Sequence, residues 1–175
     1  MTGLSNSGTE RAAKREADRA LLQRRWVEIE RPRLKRAVLA EVERRVLTSF
    51  MNDTRWRELR EAVETLPFPP VFQRQDVLGP REPLWACDQM SCLGDWSHEG
   101  LEPFFMIEWI RVVPKLWAEQ GRLLPMKQVG DCTVELREVL DRLRLPHRED
   151  ARGFWIYGYA QADPSTLTEA PERAP

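Results

Sequence analysis

The chain has 175 residues, 42% of them hydrophobic and 31% charged, with a formal net charge of −1. That is material for one core under a charged surface, and no run approaches the roughly 18 uncharged apolar residues that a membrane span requires. The balance hides an asymmetry: residues 1–50 carry 12 Lys and Arg against 7 Asp and Glu, whereas residues 51–175 carry 15 against 21.

Met1 to Glu10 is polar and lacks an apolar centre, so no secretory signal peptide is expected. Glu10 to Glu30 has helical composition, with Leu22, Trp26 and Ile29 on one face. Pro32 is expected to end that segment and to open a second helix, in which Leu34, Val38, Val42 and Val46 recur every fourth residue up to about Thr48. Asn52 and Asp53 are candidate caps for a third helix, striped by Trp56, Leu59, Val63 and Leu66 and stopped at Leu66-Pro67-Phe68-Pro69-Pro70.

Val71 to Leu78 reads as an edge strand, polar at Gln73, Arg74, Gln75 and Asp76. The chain from Gly79 to Gly100 is punctuated like a loop. Phe104 to Val113 is apolar on both faces, as a central strand is. Leu116 to Leu124 suits a short helix and a return strand. Asp131 or Thr133 is expected to cap a helix reaching about Leu143, with Glu149–Arg152 as the turn into an aromatic strand, Gly153 to Ala160. The implied fold is α+β: N-terminal helices, then a small, mainly antiparallel sheet with one packed helix. The implied organisation is a charged helical arm (1–50), a compact domain (51–160) and a disordered tail (161–175).

The most unusual feature is a charge segregation. No Lys or Arg occurs from Glu82 to Ile110, a window that holds Glu82, Asp88, Asp95, Glu99, Glu102, Glu108 and the tryptophans 85, 96 and 109. Carboxylates steer a basic partner and an aromatic side chain anchors it, so Asp88, Asp95, Trp96, Glu99 and Glu102 are candidate partner-binding residues. The same composition also fits a solvated acidic loop whose tryptophans fold back into the core.

Other chemistry is thinner. Cys87, Cys92, His98 and Cys132 form a legitimate zinc shell by type but not by spacing, and neither a metal nor a cofactor is expected. Three cysteines without framework spacing fit a reducing cytoplasm. His98 stands near Asp95, Glu99 and Glu102, so a small enzyme built on a His98–carboxylate pair is an alternative; a cysteine nucleophile beside His98 is another. No glycine-loop, nucleophile-elbow or zinc-protease motif supports a catalytic assignment. The arginines of the arm are interleaved with Glu16, Asp18, Glu28, Glu30, Glu41 and Glu43, which fits intrahelical pairing or a structural or oligomeric role better than a nucleic-acid footprint. Glu108, inside the central strand, needs a partner from elsewhere, because Arg111 points to the other face.

Four phrases carry a resemblance: Asn52-Asp53-Thr54-Arg55-Trp56-Arg57-Glu58-Leu59; Leu66-Pro67-Phe68-Pro69-Pro70; Leu101-Glu102-Pro103-Phe104 running into Ile107-Glu108-Trp109-Ile110; and Phe154-Trp155-Ile156-Tyr157-Gly158-Tyr159. Over roughly residues 51–160 they resemble a family of small bacterial proteins known only as a domain of unknown function. The resemblance implies a bacterial cytoplasmic protein and transfers no site residue. The expected function is a protein-binding module acting on a basic protein, as immunity proteins act on toxic nucleases, with no membrane partner.

Overall fold

A computed structural model describes residues 6–81, 83–84, 89–121 and 124–161. Glu82, Trp85, Cys87, Asp88 and the tail after Gln161 lie outside the described residues. The chain divides between Leu39 and Ala40 into two units.

In the first unit α1 (Asn6–Arg25) runs through a five-residue π turn, Trp26–Glu30, into α2 (Arg31–Arg44), whose last five residues belong to the second unit. The helix expected to stop at Pro32 therefore continues. Pro32 has no N–H to donate, and its ring crowds the carbonyl four residues back. The turn just before it widens instead: Arg31 N–H donates to the Trp26 carbonyl, a step of five residues. Leu21, Leu22, Val27 and Ile29 are exposed along this unit.

The second unit follows in order: β1 (Thr48–Ser49), α3 (Asp53–Val63), β2 (Val71–Asp76), the single-turn α4 (His98–Leu101), β3 (Ile107–Val113), β4 (Lys115–Ala118), β5 (Lys127–Asp131), α5 (Thr133–Arg142), β6 (His147–Asp150), β7 (Gly153–Tyr157) and β8 (Tyr159–Ala160). The main sheet is antiparallel with strand order β2-β3-β7-β6, and β4-β5 and β1-β8 pair separately. The fold is α+β, with β3 inside the sheet and β2 at its edge, as their patterns imply. Three strands differ from the sequence reading. Residues 115–118 extend as β4 rather than coiling; β5 and β6 are almost wholly polar and leave no alternating apolar signal.

Asn52 starts α3 by accepting the Arg55 amide at 2.9 Å. The α3 and α5 helices cover the same sheet face. Trp56, Leu59, Val63 and Leu66 from the α3 segment join Leu136, Val139 and Leu140 of α5 against Ile110, Val112, Phe154 and Ile156. The other face carries Trp109, Trp155, Tyr157 and Ala160, with Phe50 and Leu84 packed on them.

The turn from β6 to β7 depends on Gly153, whose φ is +120° and where an added Cβ would meet the Val112 carbonyl oxygen. Both strain and collision fall on backbone that cannot yield. Gly153→Ala is expected to lower stability by about 3 kcal/mol, read as the shift in a urea unfolding curve. A loss under about 1 kcal/mol would contradict this packing.

Candidate functional site

Chain punctuation and packing together set the acidic turn. Trp96 is only 7% exposed, so it does not stand on the binding surface expected of it. Its indole N–H donates to the Pro70 carbonyl at 2.7 Å, and its ring meets Phe72 edge-on at 4.8 Å. The Gly94 amide donates to the Pro69 carbonyl at 3.1 Å. Pro70 and Trp96 thus fasten the turn to the start of β2. At its far end Leu101 is fully buried, and its carbonyl accepts from Arg74 at 2.8 Å. Between these anchors, Ser97 caps α4 by accepting the Gly100 amide at 3.3 Å. Gly100 passes so close to Asp95 that a Cβ there would strike the Asp95 carbonyl oxygen.

On this frame Asp95 and Glu99 are exposed. The Ser97 hydroxyl, and then its amide, hold the Asp95 carboxyl below the ordinary carboxylate range, so it carries full charge at neutral pH. Glu102 is half-buried and shared between His98 Nε2 at 3.0 Å and Arg60 at 3.5 Å. The structure therefore places Asp95, Glu99 and Glu102 on one short turn and withdraws Trp96 into the core. Asp88 lies outside the described residues. The exposed apolar neighbour of the turn is Leu93.

The zinc and thiol readings meet different surroundings. Cys132 is fully buried and its thiol donates to the Pro114 carbonyl at 3.4 Å, while Cys92 is exposed. Burial, aided by Glu135 and Asp131, pushes the Cys132 thiol up to about 12, so it holds its proton at neutral pH. Among the described residues no three of His, Cys, Asp and Glu converge as a metal set. A short native-state alkylation followed by peptide mass mapping is expected to modify Cys92 and spare Cys132. Equal modification of both would contradict the buried placement.

Glu108 finds the distant partners its position demands. Between Gln75 and Asp76 the pairing steps from Trp109 to Ile107, which leaves Glu108 as the extra residue of a bulge in β3. The bulge re-aims the side chain toward Arg45, which donates through both terminal nitrogens at 2.7 Å, and Arg81 adds a bond at 2.9 Å. The carboxylate is 5% exposed, so this paired geometry is what makes its burial tolerable.

On the sheet face away from the helices lies a second polar group that the sequence reading passed over. Arg111 and Arg148 stand 5.8 and 5.7 Å from the centre of the Trp155 ring. Asp150 accepts from Arg148 at 2.6 Å and from the Trp155 indole at 2.8 Å. Trp109 Nε1, Arg148 Nε and the Tyr157 hydroxyl are shielded from solvent and have no hydrogen-bond partner among the described residues. Burial raises the Tyr157 hydroxyl from its ordinary value. The polar sequence of β6 hid this group, because charged residues in a short polar stretch read as a turn.

No helix among the described residues is long and apolar enough to cross a membrane. No curated protein and no solved structure matches the chain. The model of the family described as "Family of unknown function (DUF6678)" matches residues 38–163, which takes in the end of α2 and Arg45 as well as both core helices, and the chain belongs to that family.

Proposed function

We propose that this protein is a protein-binding module whose acidic turn, Asp95 to Glu102, captures a basic partner, in the manner of an immunity protein occluding a basic toxin. One observation carries the reading: Asp95 and Glu99 project into solvent from a backbone anchored at both ends in the core. A rigid display of charge steers association and loses little entropy on binding. Trp96 acts from inside, as the peg that holds the display, and Leu93 supplies the exposed apolar contact. A surface of carboxylates repels phosphate, so nucleic acid is not the partner in this reading.

The His98–carboxylate alternative has less support. The His98 side chain is 75% exposed, and neither the cleft at the β6–β7 turn nor the shallow one between Leu66 and Glu138 includes it. General acid–base catalysis gains from enclosure that excludes water, and water surrounds this imidazole.

The test is affinity capture with the full chain at low and high salt. The expected result is one dominant basic protein at low salt, lost as salt rises. A partner retained equally at both salts, or no partner at either, would contradict the proposal.

A further inference from the structure

We propose that the helix of the first unit is a self-association surface, occupied by the same helix of a second copy of this chain running antiparallel. Leu21, Leu22, Trp26, Val27 and Ile29 are 38 to 66% exposed. Leu22, Trp26 and Ile29 follow one face at steps of four and three, and Leu21 and Val27 flank it. A lone exposed apolar side chain is ordinary, but five within nine residues of one helix form a patch.

Charge decides the occupant. From Glu16 to Arg33 there are five arginines and four carboxylates, a net charge of +1. That balance offers little attraction to a phosphate-bearing surface, whether nucleic acid or anionic lipid. The order of the signs instead suits a reversed copy of the same segment. An antiparallel pair centred on Arg25 sets Asp18 against the partner's Arg33 and Arg19 against the partner's Glu30. It also sets Leu21 against the partner's Ile29 and brings Leu22 beside the partner's Trp26. Two-fold symmetry makes each contact twice. A parallel pair would set Asp18, Arg19 and Arg33 each against its own kind.

The charges are placed to serve. Asp18 and Arg33 are exposed and make no ion pair among the described residues. Glu30 accepts from Arg25 through Oε1 at 3.4 Å, which leaves Oε2 for the partner's Arg19. Arg25, at the two-fold, is offset by this same Glu30. Arg24 lies about 200° round the helix from Leu22 and so points away from the contact. The paired stretch, 16–33, is only about 27 Å long, so the dimer is expected to be weak, with a micromolar dissociation constant.

The experiment is sedimentation velocity of the full chain from about 1 to 200 μM, a range that brackets such a constant. A monomer passing to a dimer as concentration rises is expected. Leu22→Glu with Ile29→Glu, both exposed positions, is expected to weaken association by about tenfold or more, with an unchanged circular dichroism spectrum. Asp18→Lys and Arg33→Glu are each expected to weaken it several-fold, and the two together to restore it to within about twofold of the wild type, because the swapped signs again attract. A wild-type chain that stays monomeric, dimerisation untouched by Leu22→Glu with Ile29→Glu, or a double swap no better than its single variants would overturn the antiparallel pair.

Discussion

Arg45→Ala is expected to destabilise the protein by about 3 kcal/mol, near the lower end of the cost of breaking a buried ion pair. The charge left behind is Glu108, 5% exposed, bulged out of a central strand and stripped of its two-bond partner. Arg81 remains at 2.9 Å, but its side chain is 48% exposed and donates one bond. This partial compensation, with the 19% exposure of the Arg45 side chain, keeps the cost from the top of the range. Removing both charges, as Arg45→Met with Glu108→Leu, is expected to recover most of the loss, since neither charge is then stranded. Urea unfolding of the two variants checks both statements. A loss under about 1 kcal/mol for Arg45→Ala would show that the contact is incidental.

Trp96→Ala is expected to cost about 3–4 kcal/mol, the usual penalty for emptying an aromatic site in a core. It leaves the Pro70 carbonyl without its indole donor and Phe72 without its edge contact. Trp96→Phe keeps most of the ring and drops the N–H, so about 1 kcal/mol is expected. The variants also separate two roles. Hydrogen exchange at the amides of Gly94, Ser97, Gly100 and Leu101 is expected to rise in Trp96→Ala well beyond the global change, because these bonds hang on the turn that Trp96 fastens. Unchanged protection there, with less than about 1 kcal/mol lost, would mean that the turn holds itself.

Much of the fold was legible because it rests on apolar spacing. Trp56, Leu59 and Val63 repeat at helical intervals and form the buried face of α3, and Ile107 to Val113, mostly apolar, is buried along its whole length because both sheet faces are covered. The family phrases beginning at Asn52 and Leu101 run onto these elements, and the last lies on β7 and β8. What stayed hidden depends on pairing rather than on pattern. His147-Arg148-Glu149-Asp150 becomes a strand because β7 lies beside it, and nothing in four polar residues says so. Arg45 meets Glu108 across 63 positions through a one-residue bulge, which no local period encodes.

The acidic turn was half legible. The absence of Lys and Arg from Glu82 to Ile110 marks the surface, and Asp95 and Glu99 do face solvent. Trp96 was ambiguous because an aromatic side chain fits an interface and a core equally well by composition. The carbonyl of Pro70 decides it, and that contact exists only once β2 is in place.

Whether the proposed surface of Asp95 and Glu99 binds the partner is tested by side-by-side capture at low salt by the wild-type chain and by Asp95→Lys with Glu99→Lys. Glu99 is exposed, whereas Asp95 also accepts the Ser97 amide at 3.1 Å, so circular dichroism is expected to match between the two proteins and unfolding to shift by no more than about 1 kcal/mol. The folded variant is expected to retain less than about a tenth of the wild-type partner, because two attractive charges become repulsive. Equal capture by the folded variant would contradict it.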